Sequence, residues 1–204
     1  MNILKLKEAE NKFFLDYPKG FDSLEMKEVA KKHKIGKMVD FTHEILSDDA
    51  LMDVEATCEN LIKLVSRSSM VSLFEKPKFR DAVRSMALQE KKELVQSIRE
   101  LIHGDEELGF NLILELLKKY KLGKWTLITV FRCYYYPDYD LLYKPTTVKN
   151  IIKKYELEGL VYKSTPSYEF FVGYRDAINK MKEEVDPSLS PDNPSFSGFL
   201  MMTM

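Results

Sequence analysis

The residues of this chain best suited to chemistry are gathered between positions 118 and 154. Nine lysines and arginines stand there against two aspartates, net +7, while the remaining residues carry twenty-two against thirty, net −8. A formal total of −1 therefore conceals one basic segment in an acidic chain. The same segment holds the only tryptophan, Trp125, just after the turn Lys121-Leu122-Gly123-Lys124. It also holds the aromatic run Tyr134-Tyr135-Tyr136-Pro137-Asp138-Tyr139-Asp140. Positive charge interleaved with flat rings suits a polyanion that carries bases, because lysines neutralise phosphates and aromatic faces stack on bases.

Two helices joined by a tight glycine turn can aim backbone N–H groups at a phosphate. The second helix begins there with unpaired donors and the positive end of its dipole. Lys121, Gly123 and Lys124 form such a turn, and Trp125 and Thr126 open the second helix. The plainer reading is an ordinary helical hairpin with solvated lysines, since short motifs match often by chance. Tyr136 and Tyr139, with Lys144, Thr146 and Thr147 on the turn that follows, are candidates for a base pocket. Successive helical positions differ by ~100° in phase, which sends Tyr134 to the core. Asp138 and Asp140 are the only carboxylates of the segment. One reading makes them catalytic acids or readers of a base amino group. The other makes them turn residues bonding local N–H groups.

The string Leu122-Gly123-Lys124-Trp125-Thr126, followed by apolar Leu127, Ile128, Val130 and Phe131, resembles the hairpin of the helix-hairpin-helix DNA glycosylases. The loop from Pro137 to Tyr143 and a helix over Thr146–Tyr155 match that family's layout, so the resemblance covers roughly residues 110–155. It implies an all-α fold, duplex DNA held at the hairpin, a base flipped into a pocket and its glycosidic bond cut. The chain departs from the pattern in three places. Lys121 stands where the hairpin's first glycine is usual. Lys144-Pro145-Thr146-Thr147 fill the place of the catalytic aspartate, about twenty residues past the tryptophan position. Trp125 occupies the place of a Schiff-base lysine. The resemblance thus implies a degenerate member, binding DNA with or without glycosylase activity, a hydrolase if active. Two other readings stay open. One is a non-enzymatic helical module for a protein partner, using the aromatic loop or the tail from Phe199 to Met204. The other is an enzyme on a small nucleobase or nucleotide.

These residues need long regular elements to position them. Of 204 residues 45% are apolar and 31% charged, which excludes a disordered chain, and eight glycines and eight prolines leave room for long helices. Apolar residues recur at helical spacing almost throughout, with no alternating run long enough for a sheet. The expected fold is an all-α, multi-helix orthogonal array around a central helical hairpin, with little or no sheet. One domain is expected over 1–185, divisible near 105 into lobes of about 1–105 and 106–185. Residues 186–204 read as a polar linker and an apolar tail that folds back. Asp22 with Glu25 reads as a capping box, Gly36 as a break, Asp48 and Asp49 as a helix start, and Phe79 to Ile102 as one long helix.

Cys58 and Cys133 are too few for a disulfide framework or a thiolate zinc cluster, which suits the reducing cytoplasm. His33, His43 and His103 share no ligand spacing, so no metal is expected and no cofactor is implied. The basic run Lys31-Lys32-His33-Lys34 reads as a solvated helix end within reach of a phosphate. No stretch approaches the ~18 apolar residues of a membrane span, and the charged N-terminus is not a signal peptide. The partner expected is DNA or another nucleic acid, with no membrane.

Overall fold

A computed structural model describes residues 1–204. The fold is all-α, with eleven α-helices, three short 3-10 turns and no strand. The helices are α1 (Ile3–Asp16), α2 (Leu24–His33), α3 (Ile35–Ile45), α4 (Val54–Arg67), α5 (Glu75–Ser85) and α6 (Leu88–His103). They continue as α7 (Glu106–Lys119), α8 (Trp125–Tyr135), α9 (Pro145–Lys154), α10 (Tyr168–Glu183) and α11 (Asn193–Met202). No helix is long and apolar enough to cross a membrane.

Helix α8 is the axis of the molecule. Every residue from Trp125 to Tyr134 is buried, as its mostly apolar sequence favours, and the charge of Arg132 is met inside the fold by Asp140 and Glu106. Its two threonines are satisfied locally or by neighbours. Thr129 donates to the Trp125 carbonyl (2.8 Å), and Thr126 to Glu75 of α5 (2.9 Å). Helices α6 and α7 pack as a close pair in front of it. Asp105 caps α7 by accepting the Leu108 N–H (3.0 Å), and Gly109 lets the two backbones touch. A Cβ at Gly109 would lie 2.1 Å from the Leu101 nitrogen.

Several helix ends differ from the sequence reading. The run from Phe79 to Ile102 is two helices, because Ser85 and Met86 turn back to the Ala82 and Val83 carbonyls and close α5. Glu90 then accepts the Ala87 N–H (3.3 Å) and starts α6. The break expected at Gly36 falls two residues earlier, at Lys34, which adopts the left-handed conformation (φ 51°). Asp48 and Asp49 lead into a 3-10 turn, and Asp53 caps α4 through the Ala56 N–H (3.0 Å). Asp22 lies inside a 3-10 turn, so Ser23 precedes α2 instead.

The tail is part of the core. Residues 187–189 form a 3-10 turn with Leu189 buried, and α11 buries Phe196, Phe199 and Leu200 completely. Phe199 meets Phe13 of α1 edge-on at 5.4 Å, and the Asn193 N–H donates to the Pro137 carbonyl (2.7 Å). One cluster of 51 buried apolar residues runs from Leu6 to Leu200, so the expected lobes on either side of residue 105 share a single core.

Candidate functional site

The hairpin corner is built as the sequence suggests but is filled from within. Helix α7 ends in a Schellman motif: the Lys121 N–H donates to the Lys118 carbonyl (2.9 Å) and the Leu122 N–H to the Leu117 carbonyl (2.9 Å). The one left-handed position of this turn falls on Lys121 (φ 59°), where glycine is usual. Gly123 has no positive φ. Its bare Cα permits the turn to lie on α7, since a Cβ would sit 2.7 Å from Lys118 Cγ and 3.3 Å from Leu114 Cδ1. Beyond it, Glu75 reaches the start of α8. One carboxylate oxygen lies 3.2 Å from Lys124 Nζ and the other accepts the Thr126 hydroxyl at 2.9 Å. An internal carboxylate, itself only 13% exposed, thus stands where a phosphate was expected. Trp125 braces the corner from below: it is buried, donates from Nε1 to the Lys163 carbonyl (2.8 Å) and stacks on Tyr143 at 5.2 Å.

Three further cations of the +7 segment meet carboxylates, and Lys154 meets a main-chain carbonyl. Lys118 pairs with Glu115 (2.6 Å) and Lys119 with Glu93 (3.7 Å). Lys153 and Lys154 line a shallow cleft with Lys5, Glu8 and Lys12, and Lys154 donates to the Thr203 carbonyl. Arg132 and Arg175 form a closed square with Asp140 and Glu106, two charges of each sign. Arg132 touches Asp140 at 2.8 Å and Glu106 at 2.6 Å, while Arg175 touches them at 3.0 and 2.8 Å. Asp140 is wholly buried, so it is a counter-ion beyond the reach of any substrate. Burial pushes its carboxyl up against the pull of the two guanidinium groups. Burial also opposes the charge on Glu106, but the hydrogen bond from Arg175 and the charge of Arg132 hold that carboxyl below its usual range. Tyr136 and Tyr139 serve this square. The Arg132 guanidinium lies 4.7 Å from the Tyr136 ring centre and that of Arg175 lies 4.5 Å from Tyr139. Neither tyrosine joins Lys144. Asp138 is exposed and offers its main-chain carbonyl to Lys182 (2.8 Å).

Lys144 is different. It is half-buried at the start of α9, and no carboxylate pairs with it anywhere in the molecule. Desolvation depresses its ammonium below the usual lysine range. It stands in the wall of a cavity of about 820 Å³ enclosed by α2, the start of α3, the turn before α9, and α11. Thr147 shares that wall, its hydroxyl spent only on Met201 sulfur (3.4 Å), while Thr146 is exposed and does not line it. His33, bonded through Nδ1 to Ser69 Oγ (2.9 Å), joins from α2, and burial together with the Lys144 charge lowers its pKa. Lys31, Lys34 and Lys37 add charge. The single acid of the lining, Asp192, is used as a cap on the Ser195 N–H (2.6 Å). Cys133 is the only thiol there, and burial pushes it up, away from nucleophilic use.

Protein-family models, curated proteins and solved structures offer no match to this chain. The cavity must therefore be interpreted from its own lining.

That lining has two notches. Gly36 in α3, exposed at the cavity mouth, and Gly198 in α11, half-buried in its wall, both line the cavity, and a Cβ at either would meet nothing within 4 Å. Neither has a positive φ. Other helical glycines have internal reasons: Gly109 touches α6, and a Cβ at Gly173 would come within 3.1 Å of Leu160. Glycine inside a helix costs about 1 kcal/mol relative to alanine, so Gly198 carries a penalty without a contact to explain it. Of the predicted site residues, Lys144 and Thr147 meet at this cavity. His33, Gly36, Gly198 and the methionines were missed as site residues. The basic run at 31–34 and the apolar end of the chain were the available signals, but nothing local places them opposite Lys144.

Proposed function

We propose that this protein binds a small organic anion with an apolar body in the cavity beside Lys144. The observation that carries the reading is a half-buried ammonium without a counter-ion, set in a largely apolar wall. Concave, mostly apolar pockets of ~300–1,000 Å³ with a few convergent polar groups are the usual form of ligand sites. A charged group withdrawn from water without a partner is unfavourable, and a ligand anion would relieve it. Binding is favoured over catalysis, because the thiol in the wall is buried and His33 is turned toward Ser69.

This reading keeps the ligand size of the nucleotide alternative but not its residues, since no tyrosine lines the cavity. Duplex DNA at the hairpin would have to displace Glu75 from both Lys124 and Thr126, which weighs against that proposal. The test is a thermal-shift screen of organic anions beside neutral isosteres, since a ligand of the native state raises the melting temperature. At least one anion is expected to raise it in the native protein and to lose that effect in Lys144→Met. A screen in which no anion outperforms its neutral partner sinks the proposal.

A further inference from the structure

We infer that the ligand is an unbranched aliphatic monocarboxylate, its headgroup on Lys144 and its chain lying against the glycine notches at Gly36 and Gly198. The inference rests on the reading of this cavity as a ligand site and names the chemistry of its occupant.

Three features of the lining select that chemistry. Apart from His33, which is held to Ser69, Phe21 is its only aromatic residue, so there is no pair of rings between which a base or a fused ring would stack. The apolar wall is instead rich in methionine: Met26, Met70, Met201 and Met202. Methionine is unbranched and polarizable, and it adapts to a flexible chain better than a rigid branched wall does. No arginine lines the cavity, so there is no guanidinium fork for a phosphate or sulfate; Lys31, Lys34 and Lys37 are exposed to solvent at its edge, and Lys144 is the one half-buried point charge, suited to a single carboxylate. The Thr147 hydroxyl, held only by a weak contact to sulfur, is free to turn to the second carboxylate oxygen.

The notches are the independent observation. Gly36 and Gly198 come from two helices far apart in sequence and line the same cavity, Gly198 half-buried in its wall and Gly36 exposed at its mouth, and a Cβ at either would meet no protein atom within 4 Å. A methylene chain needs close approach to a helix backbone along its length. Side chains at these positions would project into that path.

Isothermal titration calorimetry on the full chain tests this with hexanoate, octanoate, decanoate and dodecanoate, each below its micellar concentration. Affinity is expected to rise about fourfold per added methylene until the cavity is full. Methyl decanoate, which lacks the charge, should bind at least about tenfold more weakly than decanoate. Lys144→Met should weaken decanoate by a similar factor, and Lys144→Arg should restore part of it. Gly198→Leu begins from a Cβ that meets no protein atom within 4 Å, so it should remain folded, and its side chain should abolish the gain from longer chains. A flat chain-length series, an ester that binds as well as the acid, or undiminished binding to folded Gly198→Leu overturns the inference. Adenosine monophosphate and anilinonaphthalene sulfonate separate it from the broader reading. If either binds in a Lys144-dependent way while the carboxylates do not, the ligand class is wrong and the site stands. If no anion binds, both fall.

Discussion

Two turns of one basic segment have opposite fates. Lys121–Thr126 and Lys144–Thr147 each place lysine and threonine at the start of a helix, and each presents the positive end of that helix. At the first, Glu75 arrives from α5 and takes both Lys124 and Thr126. At the second, the nearest carboxylate in the lining, Asp192, is committed to capping α11, and Lys144 faces an open cavity. Lysine density in a sequence therefore does not mark a site. Acids elsewhere in the chain consume four of the nine cations, Lys118, Lys119, Lys124 and Arg132, and a site needs a cation that is both unpaired and drawn into a cavity, as Lys144 is.

The consumed side of the comparison breaks most visibly at the buried square. Asp140→Ala strands two guanidinium groups, Arg132 and Arg175, with only Glu106 between them. Removing one member of a buried ion network typically costs about 3–5 kcal/mol, because the remaining charge is left uncompensated. Urea denaturation should show a loss of that size. A loss below about 1 kcal/mol would mean that water already reaches the square.

Glu75→Ala attacks the corner itself. It removes one ion pair with a half-exposed lysine and one hydrogen bond from Thr126, a loss of about 1–2 kcal/mol after allowance for solvent screening of Lys124. It also vacates the start of α8. The variant, unlike the native protein, should then bind inorganic phosphate or short duplex DNA weakly, with an affinity that falls as salt rises. Native protein that shifts DNA as strongly as Glu75→Ala in a gel would show that the corner was never closed.

How much of this was legible depends on the range of the interaction. The mostly apolar run that follows Trp125 pointed to a buried helix, and α8 is buried along nearly its whole length. The split between α5 and α6 was hidden because Val83 and Met86 stay in phase with the next helix, so periodicity does not register the turn. Glu75 lies 49 residues from Lys124, and no local pattern pairs them. Tyr136 and Tyr139 looked like stacking residues for a base. They stack instead on arginines, one supplied by α10, which the sequence does not place there. Lys144 and Thr147 were visible as a basic turn, but the cavity they face is assembled from α2, α3 and α11, whose meeting is a long-range result of the core.

Lys144, the unpaired cation of the cavity, predicts a smaller effect of opposite sign. Lys144 holds its proton less firmly in the fold than in the unfolded chain, because desolvation penalises the ammonium. Between the folded value and the unfolded value of about 10.5, the unfolded state binds more protons, so stability rises with pH through that window. The penalty is fully present below the folded value. Lys144→Met should therefore stabilise the ligand-free protein at neutral pH by about 1 kcal/mol or less, discounted for the exposed half of the side chain. The difference from the native protein should shrink as pH approaches the unfolded value. A destabilised Lys144→Met at neutral pH would mean that the ammonium has a partner within the fold.

The finest version of the contrast is between two glycines. Gly123 at the hairpin is pressed against Lys118 and Leu114, whereas Gly198 in α11 is pressed against nothing. Alanine at 123 forces a side chain to yield, although Lys118 is long and half-exposed and can move, so the cost should stay below about 1 kcal/mol. Alanine at 198 meets open space and gains helix propensity, so it should stabilise the protein by about 0.5–1 kcal/mol. Thermal or urea melts of the two variants should move in opposite directions. The direction at 198 bears on the cavity more than its size does: a stabilised Gly198→Ala means that a helical glycine has been kept at the expense of stability, which fits a wall left low for an occupant. Destabilisation at both positions would place Gly198 in a tight contact like that of Gly123 and close the notch that the proposed chain requires.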